Sequence, residues 1–253
     1  MSAHLTKLII GSAQFGMHYG IANQKGKVSK SELSKIFQFL AKTNITSLDT
    51  AKIYGQSEES IGEQILLYPN HKWNIITKVN QIEIPLINQV LDSKKKLSVF
   101  PQALLCHKAE LYMDDNYQKQ IEEIKKLGLV NQIGVSVYNS FEIKKILKAK
   151  IKPNIIQLPL NILDTRLYKN GWLYKCKSLG IEIHARSLFL QGLFFLKKNQ
   201  ISNSKFADVE SSLHDLKIIA FENHMSLAQL ALLWVINLRE VDKVVLGIDC
   251  LSH

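Results

Sequence analysis

Ser47-Leu48-Asp49-Thr50-Ala51-Lys52-Ile53-Tyr54-Gly55-Gln56-Ser57-Glu58-Glu59-Ser60-Ile61-Gly62 passes from a short strand through a loop into a helix. Ser47–Thr50 reads as the strand, and residues 58–67 carry helical periodicity. Alternation along the strand places Ser47 and Asp49 on one face and Leu48 and Thr50 on the other. The strand thus ends on a carboxylate, with a tyrosine in the loop just after it.

The same strand-then-helix unit recurs on both sides. Strands are expected at Lys7–Gly11, Ser47–Thr50, Asn74–Val79, Ala103–His107, Gln132–Val137, Asn154–Leu158, Ile181–Ser187 and Lys243–Ile248. Helices are expected near 31–43, 58–67, 86–98, 115–127, 141–149, 171–179 and 211–238, the last divided in two by a cap at Ser226. Such repetition predicts an α/β fold, either a (β/α)8 TIM barrel or a doubly wound open sheet. An open sheet announces itself by GxGxxG leading from the first strand into a helix. Here Gly11-Ser12-Ala13-Gln14-Phe15-Gly16 is followed by a loop through Tyr19, Gly20, Asn23 and Gly26. The barrel is therefore favoured, and 253 residues match the roughly 250 of one such domain. No Ser/Gly/Pro-rich linker interrupts residues 1–253, which read as a single domain. After the eighth strand only Asp249-Cys250-Leu251-Ser252-His253 follows, so the eighth helix is expected to be missing.

The formal charge of +10 comes almost entirely from lysine, since Arg166, Arg186 and Arg239 are the only arginines. Groups such as Lys94-Lys95-Lys96 and Lys144-Lys145 lie on helical segments and read as solvated faces, which argues against a nucleic-acid site. A basic field still favours anionic ligands. Cys106, Cys176 and Cys250 have neither paired nor metal-ligand spacing, and no zinc-like His/Cys pattern occurs. The N-terminus has neither a signal-peptide nor a membrane-span pattern, so a cytoplasmic protein without membrane contact is expected.

In a barrel, chemistry gathers at the C-terminal ends of strands. Alternation turns Asp49, Lys78, His107, Ser136, Gln157 and Arg186 to the interior at those ends. Four groups make a sensible set. Tyr54 is too weak an acid unaided, and a nearby Lys78 ammonium would favour its phenolate. Lys78 in turn needs the counter-charge of Asp49, and His107 can donate to a substrate carbonyl. None of the four supplies hydride, so a nicotinamide cofactor is implied.

The Leu48–Gly62 stretch resembles the signature of the aldo-keto reductases, in which Asp-Thr-Ala is followed by Tyr-Gly and then a Glu and a Gly. Ile76-Thr77-Lys78-Val79 and Leu104-Leu105-Cys106-His107 resemble that family's lysine and histidine strands. Ile133-Gly134-Val135-Ser136 and Ile156-Gln157 resemble the strands that hold the nicotinamide carboxamide, and the matches run in order from Gly11 to Gly247. The resemblance implies reduction of an aldehyde or ketone by NADPH, with NADH possible. It makes Asp49, Tyr54, Lys78 and His107 catalytic and Gly11, Ser12, Ser136, Gln157, Arg186, Ser187 and Gly247 cofactor-binding. The Gly11–Gly16 opening and the run Arg186–Gly192 resemble a branch associated with bacterial surface-sugar synthesis, so a sugar-derived substrate is implied.

Three departures stand out. Val137 replaces the family's Asn after the serine, leaving that contact absent or supplied by Asn139. Arg186 stands where a tyrosine commonly stacks on the nicotinamide, and its planar guanidinium can stack instead. The missing helix would remove part of the grip on the cofactor's 2′-phosphate, about ten- to a hundredfold in affinity. It would also leave Val244, Leu246 and Ile248, or Val245 and Gly247, facing solvent, a neighbouring helix or a second copy, so either a homodimer through this face or a fragile monomer is expected.

Other side chains take plainer readings. His71, His214 and His224 read as surface, His184 as a core histidine, and Trp172 and Trp234 as core. Cys106 should point away from His107, while His18 and Tyr19 fit either the mouth or the loop surface. Two other functions compete: a cofactor-sensing or interaction protein with little turnover, and a lyase or epimerase using Lys78 as a Schiff base.

Overall fold

The computed structural model describes residues 2–202 and 206–252. Eight parallel strands close into a barrel in sequence order. They are β1 (Leu8–Gly11), β2 (Ser47–Asp49), β3 (Asn74–Val79), β4 (Ala103–Cys106), β5 (Gln132–Ser136), β6 (Ile155–Pro159), β7 (Glu182–Arg186) and β8 (Lys243–Gly247). The barrel closes where Gly11 of β1 stands level with both Asp49 of β2 and Gly247 of β8.

Period-two alternation sorts the side chains into two compartments. Ile9, Ile76, Ala103, Leu105 and Ile155 fill the interior, with Val245 packed against them. Their outward neighbours, among them Ile10, Leu48, Ile75, Leu104, Val135 and Ile183, join the larger core beneath the helices. Parallel strands buried on both faces require this near-continuous apolar character.

The principal helices are α1 (Lys30–Leu40), α2 (Ser57–Ile65), α3 (Leu86–Leu97), α4 (Asp115–Lys126), α5 (Ser140–Ile146), α6 (Trp172–Ser178), α7 (Glu210–Glu222) and α8 (Leu227–Ile236). On α1, Leu33, Ile36, Phe37 and Leu40 recur at helical spacing and are buried, each stabilising by about 1.5–3 kcal/mol. Ser29 caps that helix by accepting from the Glu32 N–H at 3.2 Å. The break expected at Ser226 is present as a capping box with Gln229. Gly62 lets α2 lie against α3, since a Cβ there would stand 2.0 Å from the Lys96 carbonyl oxygen.

The segment after β7 departs from a plain repeat. It coils through Leu190–Phe195 and packs Leu193, Phe194 and Ile201 with Leu213 of α7 and Ala231 of α8 as a second, smaller core. Ile21 in the loop after β1 donates its N–H to the Gln191 carbonyl at 2.8 Å, tying the two loops together above the barrel.

After β8 the described residues form a bend and turn without a helix, and the Leu251 N–H donates to Glu32 at 2.8 Å. The expected exposure of β8's outer face is not observed. Val244 and Ile248 are buried, and Leu246 packs against the main core. Val245 faces the interior cluster. The ground for a dimer through this face is therefore removed. Among the described residues no single helix is long and apolar enough to cross a membrane; α7 and α8 pass that test only as a pair bent by 90°.

Candidate active site

Asp49 ends β2 and Lys78 lies on β3, both pointing inward by alternation, and their side chains are 4% and 1% exposed. They form an ion pair. Lys78 Nζ also donates to the Thr50 carbonyl at 3.1 Å, while Gln157 Nε2 donates to the other Asp49 oxygen at 2.8 Å. Burial pulls the Lys78 pKa down, but the charge of Asp49, Tyr54 and the Asp49 hydrogen bond outweigh it, so the ammonium is held above its ordinary range. Lys78 does not line the pocket and stays protonated, which removes the Schiff-base reading.

Tyr54 stands above this pair, with Lys78 Nζ 5.2 Å from its ring centroid. Its loop is held by a close backbone approach. A Cβ on Gly16 would fall 1.9 Å from the Tyr54 carbonyl oxygen and 2.3 Å from the Ser57 nitrogen. Beneath the loop, Thr50 Oγ1 donates to Ser57 Oγ at 3.0 Å, Ser57 Oγ lies 2.7 Å from Ser12 Oγ, and Ser12 Oγ donates to the Asp49 carbonyl at 2.8 Å. The fully buried Ser12 hydroxyl is therefore committed to the strand ends. Ser12 also lines the pocket described below.

His107 follows β4 and meets the Tyr54 ring edge-on, centroids 6.0 Å apart at 84°. Its Nδ1 is buried without a hydrogen-bond partner. An unpaired lone pair costs less there than an unpaired N–H, so the proton is assigned to Nε2, the nitrogen left to a ligand. Burial, then the Lys78 charge, pushes the His107 pKa down to about 4. At neutral pH the ring is an uncharged donor. Its titration, followed by NMR, is expected near that value; a midpoint above 6 would place His107 outside this environment. The unfolded chain takes up the proton first, near 6.5. The stability contributed by neutral His107 is thus present above that pH and declines as pH falls from 6.5 toward 4.

Asp49, Tyr54 and His107 line one pocket of about 590 Å³ that continues past Ser136 and Gln157 to Gly11 and Gly247, with Arg186 and Ser187 on its β7 side. Gly11 and Gly247 present backbone without side chains there, so an extended ligand can lie across the β1–β8 edge and reach Tyr54. A volume within roughly 300–1,000 Å³ suits a cofactor-sized molecule.

Several groups were not foreseen. Tyr138 stacks under Arg186, its ring centroid 4.2 Å from Cζ, and Asp249, Phe189, Gln191 and Phe195 also border the pocket. Tyr138 adjoins Val137, and an aromatic just past a strand's interior serine was the available signal. Asn139 does not replace the absent contact: its side chain caps α5 by accepting from the Glu142 N–H at 2.9 Å. Tyr19 lines the pocket, whereas His18 is exposed and pairs with the Asn23 carbonyl at 3.0 Å. Burial, then Tyr54, raises the Tyr19 pKa. Cys106 points outward into the main core, and burial pushes its thiol up to about 12, so it is no nucleophile. His184 is buried with Nε2 3.0 Å from Glu182, and His71 packs on Trp73 instead of lying free on the surface. Among the described residues no group of His, Cys, Asp and Glu could hold a metal ion.

The model of the aldo/keto reductase family matches residues 7–253. No curated protein sequence matches the chain. Among solved structures, the chain is similar to an aldo/keto reductase from Klebsiella pneumoniae, with 17% identity, TM-score 0.75, and 98% of this chain and 82% of that one covered. It is also similar to a glycerol dehydrogenase from Gluconobacter oxydans, with 18% identity, TM-score 0.74, and coverage of 97% and 83%. An aldo-keto reductase from Bacillus halodurans gives the same four values. At such identities the likeness speaks for the fold.

Proposed function

The chain belongs to the aldo/keto reductase family, and from that premise we propose that it reduces a sugar-derived aldehyde or ketone to an alcohol, using NADPH, with Tyr54 as the general acid. The observation that carries this reading is the buried Asp49–Lys78 pair set beneath Tyr54, with neutral His107 edge-on beside it, at one end of a long pocket.

His107 Nε2–H fixes the substrate oxygen, and Tyr54 gives that oxygen its proton. Lys78 stays charged and stabilises the tyrosinate left behind, and Asp49 keeps the ammonium from being an uncompensated buried charge. Gln157 and Thr50 hold that pair in register. A nicotinamide, when bound, would supply the hydride. Gly11, Ser136, Gln157, Arg186, Ser187 and Gly247 are the residues that would hold it, and the Klebsiella pneumoniae structure was solved with NADP and acetate. The pocket is also lined by the amides Gln14 and Gln191 and the aromatic rings Tyr19, Phe189 and Phe195, a mixture suited to a chain of hydroxyls with apolar faces.

The test has two parts. Titration by fluorescence should show saturable NADPH binding, and the absorbance of NADPH should fall when an aldehyde is added. Binding without any oxidation across a panel of sugar aldehydes leaves a cofactor-sensing protein; no binding to NADPH or NADH at millimolar concentration overturns both.

A further inference from the structure

Among the described residues, the half-buried cation Arg186 has no ion-pair partner. Its Nε donates to Ser136 Oγ at 3.3 Å, Nη1 to Ser187 Oγ at 3.1 Å and Nη2 to the Val137 carbonyl at 3.2 Å, all neutral acceptors. Two carboxylates line its pocket: Asp49, held by Lys78 and Gln157, and Asp249 beyond β8. Desolvating a charge without a counter-ion is costly. The arrangement also works against its neighbours, because the Arg186 charge opposes the Lys78 ammonium and protonation of His107.

A guanidinium has five N–H groups in a planar fork. With three engaged as above, each terminal nitrogen keeps one N–H, the pair of donors that a carboxylate accepts in bidentate fashion. Tyr138, 55% exposed at the rim, puts its ring face against the guanidinium, with 4.2 Å from Cζ to the ring centroid. Arg186 and His107 line the same pocket, which lets an oxyanion at the fork belong to the molecule whose carbonyl faces His107.

We infer that Arg186, braced by Tyr138, Ser136 and Ser187, is an oxyanion subsite that selects carbonyl substrates bearing a carboxylate. The inference rests on the reductase reading for the carbonyl but not for the anion. The cofactor's phosphates are the other source of an oxyanion, and the experiment separates the two.

Benzaldehyde and 4-carboxybenzaldehyde share a ring and differ in charge. The parent protein should favour the carboxylate aldehyde in kcat/KM. Arg186→Met should reduce that preference about ten- to a hundredfold, mainly through KM, beyond whatever it costs the neutral aldehyde. Arg186→Lys, which keeps the charge but not the fork, should keep part of the preference. Arg186→Gln, still able to donate to Ser136, should behave as the Met variant does and substitutes for it should that variant unfold. Without turnover, benzoate should raise the melting temperature of the parent and not of the Met variant. Equal loss on both aldehydes, or no preference in the parent, overturns the inference. So does a tenfold weaker NADPH Kd with the aldehyde preference intact, since the cofactor's phosphates are then the anion. If neither aldehyde is reduced yet benzoate stabilises only the proteins that keep Arg186, the subsite stands and the reductase reading falls.

Discussion

Lys78→Met is expected to abolish carbonyl reduction and to destabilise the barrel by about 3–5 kcal/mol. The substitution keeps the length of the side chain, so the interior remains filled. What it removes is the partner of Asp49, which is 4% exposed and would keep only the Gln157 amide as a close donor. A buried carboxylate without its cation must either take up a proton or remain uncompensated, and both weaken the fold. For a chain of this size, a loss of that order lowers the melting temperature by roughly 10 °C. The parent's pH dependence follows the same pair. Because the folded-state pKa of Lys78 is raised, its stabilising effect is fully present below the ordinary lysine value near 10.5 and is lost as pH rises through the raised value. The Met variant should therefore lose less stability than the parent across that alkaline range. Differential scanning fluorimetry over pH 7–11, with the reduction assay at pH 7, measures both effects. Unchanged melting and an unchanged rate would mean that Lys78 neither pairs with Asp49 nor supports Tyr54.

How far the sequence could be read followed the range of the forces involved. Strand alternation is local, and it turned Asp49, His107, Ser136, Gln157 and Arg186 to the pocket and Lys78 to the interior against Asp49, because a side chain's face follows from its parity along the strand. Cap chemistry is equally local, hence the break at Ser226. Properties set by chain segments distant in sequence were not legible. The Ser12 hydroxyl is drawn into a network with Ser57, 45 residues away, by the approach of two backbones at Gly16. Asn139 was free to serve either the pocket or the helix that follows it, and the helix terminus took it. The coverage of β8 depended on how the main core closes over Val244 and Leu246, which no spacing within Lys243–Gly247 reveals. The stacking of Arg186 on Tyr138 depends on β5 and β7 reaching the same rim.

Tyr54→Phe should leave the fold and NADPH binding intact while lowering carbonyl reduction by about 10²-fold or more. The ring stays, so its edge-on contact with His107 and its place above the Lys78 ammonium are kept. The loop is fixed by backbone at Gly16 and by Ser57, neither of which involves the phenol oxygen. Stability should accordingly change little, in contrast to Lys78→Met. Only the proton donor is removed, and no neighbour can replace it. Lys78 points away from the pocket into Asp49 and Thr50. His107 is neutral, with a pKa of about 4, and giving up its remaining proton would leave an imidazolate. Tyr19 borders the same pocket, but burial, then the nearby Tyr54, raises its pKa and makes it a weaker acid than an ordinary tyrosine. The loss should therefore appear in kcat with the NADPH Kd unchanged, the pattern of an interaction made only in the transition state. Single-turnover oxidation of NADPH with a saturating aldehyde separates the two quantities. A rate within threefold of the parent would remove Tyr54 as the acid and point to solvent entering the pocket beside His107.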